Sequence, residues 1–325
     1  MALDPQAAAL LASLAGAPAP AAPDYARLDA ASYRAALAAG GAASAFAPGD
    51  AIAAEHDLTF PGEAGPIAAR LYRPINADGA ALPLTVFFHG GGFVACGIDT
   101  HANICRTLAA RARTLVLSVD YRLAPEARFP AAAHDALAAV RWAAANAAQL
   151  GARPGALAVA GDSAGGNLAA VCAQQLRADA ASVVIAHQLL LYPVLDCSHE
   201  HPSYETYGQG FLLDKGLMRW FKDQYFGADE GSTDRAAPLA SPLGTEHLAD
   251  VAPATIISAE CDPLRDEAEH YAARLAQAGV AATLVRWPGQ MHGFASLLGV
   301  LDAADAALDF GARALRAALH AAPHR

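Results

Sequence analysis

From Glu55 onward, the sequence alternates short β-prone runs with helical stretches. The β-prone runs lie at 57–60, 67–73, 84–89, 115–120, 156–161, 188–192, 254–259 and 282–287. The helical stretches lie between most of the later runs, at 101–112, 130–149, 164–178, 264–278 and 302–319. Parallel strands need long crossover connections, which helices usually supply. The alternation therefore predicts an α/β fold in which a mostly parallel eight-stranded sheet carries helices on both faces.

Two parts of the chain depart from this alternation. Residues 1–50 are rich in alanine, and three prolines between residues 18 and 23 indicate short helices joined by a proline-rich link. No strand run lies between residues 196 and 238, where residues 210–226 form one apolar helical face. Its members are Phe211, Leu212, Leu213, Leu217, Trp220, Phe221 and Tyr225. The pattern alone leaves two interpretations open, an ordinary core helix or a lid that covers a site on the sheet.

One buried strand run, 156–161, leads directly into GDSAGGN at residues 161–167 and then into a helical stretch. In this strand-turn-helix setting, the G-x-S-x-G pattern places a serine on a sharp turn with its hydroxyl exposed. The alternative is a glycine turn with an incidental serine. Two glycines in the first turn of a helix cost roughly 1 kcal/mol each relative to alanine, and this chain uses alanine freely. We therefore predict that Ser163 is a nucleophile and that Gly161 and Gly165 permit close packing beside it.

A glycine-rich loop, HGGGF at residues 89–93, follows the strand run at 84–88. Acyl transfer builds an oxyanion that backbone N–H groups stabilise, and glycines let the backbone come close enough. An HGGG loop upstream of G-x-S-x-G supplies such donors together with the residue after the nucleophile, here Ala164. The alternatives are a flexible glycine turn and a phosphate cradle, and against a cradle the loop lacks the P-loop lysine. We therefore predict an oxyanion hole.

A serine hydroxyl is a poor nucleophile near neutral pH, so a general base must remove its proton. We expect His292 to be that base, because it lies just after the last strand run and follows Ser163 in chain order. Three other histidines are expected to be structural or to lie on the surface, because they occur within helical stretches or at the start of a strand run. They are His134, His270 and His187. His199 and His201 form a close pair without a third ligand, so they indicate no metal site.

The acid partner of the base is predicted to be Asp262, which follows the strand run at 254–259 and precedes Pro263. An aspartate before proline is also a common helix N-cap, and one carboxylate can serve both purposes. Two consecutive strand ends would bring Asp262 and His292 to the same edge of the sheet. Asp196, also after a strand run, is the main alternative, and Glu260 and Asp266 are lesser ones.

The composition argues against several other classes of protein. A net charge of -10 without a run of Lys and Arg predicts no nucleic-acid partner. Five cysteines without a CxxC pair indicate neither a disulfide framework nor a zinc ribbon, and they favour a reducing compartment such as the cytoplasm. No basic residue precedes the apolar start, and the longest uncharged stretch, 80–98, is interrupted by Pro83 and three glycines. We therefore expect no signal peptide and no membrane span.

Five motifs occur in the order found in the bacterial hormone-sensitive-lipase-like esterases, often called family IV, in the branch with a GDSAG nucleophile motif. They are HGGG at 89–92, YRLAPE at 121–126, GDSAGGN at 161–167, DPLRDE at 262–267 and HGF at 292–294. The chain thus resembles this family of the α/β-hydrolase fold over about residues 67 to 300. The resemblance implies a cofactor-free carboxylic ester hydrolase. Its site residues would be the triad Ser163, Asp262 and His292, the oxyanion donors Gly91, Gly92 and Ala164, and the supporting residues His89, Gly90, Asp162 and Glu267.

The resemblance also implies a helical cap. Residues 1–50 and 198–237 would form it, while 51–197 and 238–325 would form the catalytic domain. Cap sequence controls which small-molecule esters enter, and family members usually prefer short to medium acyl chains. Candidate pocket residues are Phe93, Phe211, Leu212 and Trp220, although packing within the cap would demand the same residue types. Family members frequently dimerise, so a homodimer is compatible with the resemblance.

Two other functions are weighed against ester hydrolysis. An amidase, formamidase or lactonase could use the same triad, because the choice of leaving group depends on pocket shape. A ligand-binding receptor on the same fold is the alternative from another class. The plant gibberellin receptor resembles this family but lacks the catalytic histidine, whereas His292 is present here.

Overall fold

The eight predicted strand runs form one continuous sheet. The computed structural model describes residues 2–15, 24–39, 46–75, 79–179, 183–228 and 233–321. The strands are β1 (Ala54–Gly62), β2 (Gly65–Arg73), β3 (Leu82–Phe88), β4 (Leu115–Asp120), β5 (Ala152–Asp162), β6 (Ile185–Leu191), β7 (Ala254–Cys261) and β8 (Ala282–Met291). Their order is β1-β2-β4-β3-β5-β6-β7-β8. β2 runs antiparallel to both neighbours, and the remaining pairs are parallel. The predicted fold class, a mostly parallel eight-stranded sheet, is confirmed.

The helices within the described residues lie before the first strand, between successive strands or after the last strand. They are α1 (Pro5–Ala15), α2 (Ala30–Ala39), α3 (Ala102–Ala112), α4 (Ala131–Ala145), α5 (Ala164–Gln175), α6 (Pro202–Tyr207), α7 (Lys215–Phe226), α8 (Arg265–Gln277) and α9 (Asp302–His320). All five predicted helical stretches are present with small shifts at their ends. The largest shift is at 130–149, where α4 ends at Ala145 because the side-chain amide of Asn146 donates to the carbonyl oxygen of Trp142.

The core consists of two apolar layers on opposite faces of the sheet. Alternate residues of a strand point to opposite faces, and in β3 Val86 and Phe88 belong to one layer while Phe87 belongs to the other. Side chains of α4, α5 and α8 fill the first layer, and side chains of α3 and α9 fill the second. The prediction of helices on both faces is therefore confirmed.

The helix predicted at 210–226 is shorter than expected. Residues 208–213 form bends, and α7 begins at Lys215. Asp214 caps this helix, since its Oδ1 accepts a hydrogen bond from the N–H of Leu217 at 2.7 Å. Gly210 has a φ of +85° and also interrupts helical geometry. Placing Phe211, Leu212 and Leu213 on the helix was therefore wrong, and the short helix α6 was not predicted.

Helices α2 and α7 pack on each other although they are far apart in sequence. The ring of Tyr33 lies 5.2 Å from that of Trp220 and 5.6 Å from that of Phe221. The indole N–H of Trp220 donates to the carbonyl oxygen of Leu28 at 2.8 Å. The prolines of the predicted link at 18–23 lie outside the described residues. In the ranges that the structure covers, no helix has the length and apolar character needed to cross a bilayer.

Candidate active site

The candidate nucleophile lies on a strained turn between β5 and α5. Ser163 has a φ of 54° and a ψ of −117°, which few residues with a side chain adopt. A Cβ atom at Gly165 would overlap the carbonyl oxygen of Phe88, and one at Gly161 would overlap the backbone of Gly165. The glycines therefore let the turn pack directly on the end of β3, as the motif predicts.

We expect Gly165→Ala to destabilise the protein by about 3 kcal/mol, because the added methyl group meets rigid backbone rather than a flexible side chain. Urea unfolding of the purified variant measures the change in the free energy of unfolding. Gly244→Ala is the matched control, since a Cβ there meets no atom within 4 Å. Equal stability of the two variants would contradict the packing argument.

Three side chains from the ends of β5, β7 and β8 meet in one hydrogen-bonded row. The Nε2 atom of His292 lies 2.9 Å from the Oγ atom of Ser163. Its Nδ1 atom lies 2.8 Å from the Oδ2 atom of Asp262. The side chain of Asp262 is fully buried, and that of His292 is 12% exposed. Because the strands are parallel, their carboxyl ends share one edge of the sheet, and this brings together the three residues predicted from sequence.

Asp262 uses its two oxygens for two purposes. Oδ2 faces His292, and Oδ1 accepts a hydrogen bond from the N–H of Leu264 at 2.8 Å. The expected role of Asp262 as helix N-cap is wrong, because α8 begins at Arg265 with Leu264 as its N-cap, and the contact with Leu264 belongs to the turn before the helix. The carboxylate is therefore held from both sides, which fixes the orientation of the imidazole.

The alternative acids are engaged elsewhere. Asp196 accepts hydrogen bonds from Ser198 and contacts the imidazoles of His199 and His201, which explains that histidine pair. Glu260 accepts from the N–H of Gly289 at 2.7 Å. Asp266 pairs with Arg265 and accepts from the N–H of Ser203. Of the four candidates, the structure places only Asp262 beside His292.

The glycine loop, residues 89–96, follows β3 and lies against the serine turn. Gly91 and Gly92 have φ values of 114° and 62°, in the region that favours glycine. The N–H of Gly90 donates to the Oδ1 atom of Asp162 at 2.9 Å. A Cβ at Gly165 would also meet the carbonyl oxygen of His89. The loop that carries Gly91 and Gly92 is thus joined to the turn that carries Ser163 and Ala164.

Asp162 and two histidines form a buried cluster behind the glycine loop. The Nε2 atom of His101 lies 3.3 Å from the carboxylate of Asp162. Burial raises the pKa of Asp162, but attraction to His101 and hydrogen bonding outweigh it, so the pKa is lowered overall. Burial lowers the pKa of His89 to about 4. The neutral ring of His89 stacks on Tyr121 and donates from Nδ1 to the carbonyl oxygen of Gly90, which is compatible with its predicted supporting role.

Sequence analysis did not single out His101 or Tyr192. His101 lies in a short 3₁₀ turn, Asp99–His101, after the glycine loop, and its spacing matches no motif. The ring of Tyr192, at the end of β6, packs on the ring of His292 at 4.9 Å. For Tyr192, its place as the last residue of the β-prone run at 188–192 was the only signal in the sequence.

Glu267 supports the fold rather than the hydrogen-bonded row. Its Oε1 atom accepts from the N–H of Leu195 at 2.8 Å and so joins α8 to the segment after β6. Burial raises the pKa of Glu267 well above its usual range, although attraction to Lys222 opposes the rise. A neutral carboxyl group here can hold the backbone without a buried charge.

The predicted pocket residues lie in four different surroundings. The ring of Phe93 stacks on that of Tyr225 at 4.1 Å, and the ring of Phe211 contacts that of Tyr207. The ring of Trp220 packs against Tyr33 of α2. Leu212 is 38% exposed. None of the four lines the cavity of about 1060 Å³ that lies beside the glycine loop. That cavity is lined instead by residues that include Leu37, Leu58, Cys96, His101 and Ser296.

A serine on a strand-turn-helix bend, an imidazole within hydrogen-bond distance and a buried carboxylate behind it define a serine hydrolase of the α/β class. Within the residues covered, no group of three or more His, Cys, Asp or Glu side chains could hold a metal ion.

Comparison with known proteins identifies the family. A family model described as the α/β-hydrolase fold matches residues 85–296. The carboxylic ester hydrolase LipN of Mycobacterium tuberculosis is 48% identical over 74% of this chain, but the match covers only 64% of LipN. The ethyl acetate hydrolase of Pseudomonas putida is 42% identical over 77% of this chain and 78% of its own length. An α/β-hydrolase enzyme from the metagenome of Lake Arreo, Spain, has a TM-score of 0.91 and 39% identity, covering 97% of this chain and 98% of its own.

The chain therefore belongs to the hormone-sensitive-lipase-like family of α/β hydrolases, and it is a carboxylic ester hydrolase.

Proposed function

We propose that this esterase acts through a covalent acyl-enzyme formed on Ser163. His292 removes the proton of the hydroxyl as Oγ attacks the ester carbonyl, and then donates that proton to the departing alcohol. Water, deprotonated by His292, attacks the acyl-enzyme and releases the acid. Asp262 holds the imidazole in the required tautomer. The observation that supports these roles is the row of contacts from Oγ to Nε2 at 2.9 Å and from Nδ1 to Oδ2 at 2.8 Å.

The N–H groups of Gly91, Gly92 and Ala164 are proposed to bind the oxyanion. In the described residues, no acceptor is recorded for these three N–H groups, so they are free to donate to substrate. One such donor typically contributes about 3 kcal/mol to transition-state stabilisation. The φ and ψ of Ser163 are those of a strained turn, which is expected to keep Oγ clear of its own backbone.

Esters are expected to be better substrates than amides or lactones of matched acyl groups. An alkoxide leaves readily, whereas an amine must be protonated by His292 before the tetrahedral intermediate collapses. We expect kcat/KM for an ethyl or p-nitrophenyl ester to exceed that of the matched amide by at least about 100-fold, a difference of roughly 3 kcal/mol. A panel of esters, amides and lactones measured with one enzyme preparation tests this. Faster turnover of an amide or lactone would assign the site to that substrate class instead.

The cavity beside the glycine loop is proposed to accept the apolar part of a short to medium acyl ester. His101 lines the cavity and contacts Asp162, the residue before Ser163. Leu37 and Leu58 contribute apolar walls. A volume of about 1060 Å³ is at the large end of small-molecule sites. A series of p-nitrophenyl esters of increasing acyl length would reveal the preference, and an optimum at long-chain acyl groups would contradict it.

A cap built from residues 1–50 and 198–237 is proposed to cover the catalytic domain, residues 51–197 and 238–325. Contacts of Tyr33 in α2 with Trp220 and Phe221 in α7 support a joint cover made of both segments.

We further propose a cytoplasmic location and a homodimer. The five cysteines are free in the structure, which suits a reducing compartment, and cell fractionation tests the location.

Strand β8 ends the sheet, so one of its edges can pair with a second copy. Light scattering coupled to size exclusion would distinguish dimer from monomer. The net charge of -10 continues to argue against a nucleic-acid partner.

A further inference from the structure

The outer side of the glycine loop is covered by side chains from α2 and α7. A Cβ at Gly92 would overlap the ring of Phe221, so the aromatic ring lies directly on the loop. Phe93 stacks on Tyr225 of the same helix. A polar contact comes from Arg34 of α2, which lies more than fifty residues before the glycine loop in sequence.

Arg34 binds two backbone carbonyl groups and one carboxylate. Its Nε atom donates to the carbonyl oxygen of Val94 at 2.6 Å, and Nη2 donates to that of Ala124 at 2.7 Å. Nη1 and Nη2 each donate to the carboxylate of Glu126 at 2.8 Å. Glu126 is 65% exposed and Arg34 is 30% exposed. The contact with the Glu126 carboxylate thus helps to orient the planar guanidinium. The contact of Nε with the Val94 carbonyl joins the guanidinium to the glycine loop.

Two peptide units connect the Val94 carbonyl to an oxyanion donor. The carbonyl of Val94 and the N–H of Ala95 belong to one planar trans peptide unit. That N–H donates to the carbonyl oxygen of Gly91 at 2.9 Å, and the N–H of Val94 donates to the same oxygen at 3.0 Å. The carbonyl of Gly91 shares its peptide unit with the N–H of Gly92, which points in the opposite direction. Fixing the Gly91 carbonyl therefore fixes the direction of the Gly92 N–H.

We propose that Arg34 is a positioning residue that acts on the oxyanion hole through this relay. The inference rests on the proposed function, in which Gly92 donates to the oxyanion. The relay runs from the guanidinium to the Val94 carbonyl, from the Ala95 N–H to the Gly91 carbonyl, and from the Gly92 N–H to the oxyanion. Hydrogen bonds in such a chain polarise one another, so a cation at one end strengthens the donor at the other. Contact between α2 and the loop is thereby coupled to transition-state stabilisation.

The test compares Arg34→Met, Arg34→Lys, Glu126→Gln and Arg111→Met. We expect Arg34→Met to lower kcat about 10- to 100-fold while KM changes by less than about threefold. Arg34→Lys keeps a charged donor near Val94 and should retain a kcat about fivefold or more above that of Arg34→Met. Glu126→Gln keeps one oxygen that accepts from the guanidinium, so the contact of Arg34 with the Val94 carbonyl should remain. Arg111→Met removes an arginine that pairs with Asp50 and Asp305, away from the glycine loop. Both controls should stay within about twofold of the native kcat.

A second readout separates positioning from general loss of structure. Aryl trifluoromethyl ketones form an anionic adduct with a serine nucleophile, so their affinity reports the oxyanion donors. The inhibition constant should rise across the Arg34 variants in proportion to the fall in kcat/KM. If Arg34→Met does not fold, Arg34→Lys still tests the relay by the same correlation, with Glu126→Gln as the control that should change neither quantity.

The proposal is overturned if kcat of Arg34→Met stays within about twofold of the native value, or if Arg111→Met shows the same loss. Constant inhibitor affinity across folded Arg34 variants would also overturn it. Ser163→Ala separates this from failure of the proposed function. An active Ser163→Ala enzyme refutes the function, whereas an inactive one with an unchanged Arg34→Met refutes only the relay.

Discussion

Ser163→Ala is expected to lower kcat for p-nitrophenyl butyrate by at least about 10⁴-fold. The hydroxyl is the only group in the hydrogen-bonded row that can form the acyl-enzyme, and alanine leaves His292 without a proton to remove. Folding should be little affected, since Oγ makes one recorded hydrogen bond, to His292. We expect the free energy of unfolding to change by less than about 1 kcal/mol. Steady-state kinetics and urea unfolding on the same preparation measure both quantities.

Ser258→Ala is the matched control for that substitution. Ser258 is fully buried in β7, and its hydroxyl has no hydrogen-bond partner. Removing it deletes the same atom from the core without touching the row, so kcat should stay within about twofold. Retained turnover by a pure Ser163→Ala protein, or equal losses in both variants, would contradict the assignment of the nucleophile.

Asp262→Asn is expected to lower kcat about 10³- to 10⁴-fold. The native carboxylate accepts two hydrogen bonds, from the N–H of Leu264 and from Nδ1 of His292. An amide has only one oxygen, so it cannot accept both. If its oxygen stays with Leu264, its NH₂ group faces Nδ1 and forces the imidazole into the wrong tautomer. If the amide flips, the N–H of Leu264 is left buried without a partner.

Asp196→Asn distinguishes this arrangement from its main alternative. Asp196 contacts His199 and His201 rather than His292, so its amide variant should retain kcat within about tenfold. The ratio of the two variants is measured best with one substrate at saturation. A larger loss in Asp196→Asn than in Asp262→Asn would transfer the role of acid partner to Asp196.

The sheet and the row of site residues could be predicted because their signals are local in sequence. Each of the eight strands carries its own β-prone run, and each site residue directly follows a strand, so a parallel sheet brings them to one edge. Gly165 and Gly166 indicated the turn because the cost of two glycines in the first turn of a helix had no other explanation in a chain rich in alanine.

The covering segments could be predicted less well because their structure depends on distant contacts. The apolar residues at 211–213 continue the helical pattern of α7, but Asp214 caps the helix and excludes them. Trp220 is of a residue type that often lines substrate pockets, but in the structure it packs against Leu28 and Tyr33. The contact of Arg34 with Val94 joins two segments that share no sequence signal. Only the folded chain reveals such pairings.

Covalent labelling with diethyl p-nitrophenyl phosphate tests the central claim most directly, because the reagent phosphorylates a serine that has been activated by a general base. We expect one diethylphosphoryl group per chain, found by peptide mass spectrometry on Ser163, with loss of activity in step with labelling. Ser163→Ala should take up no label, and His292→Ala should react far more slowly. A label on another residue at full inactivation, or equally fast labelling of Ser163 without His292, would contradict an activated hydroxyl at this turn.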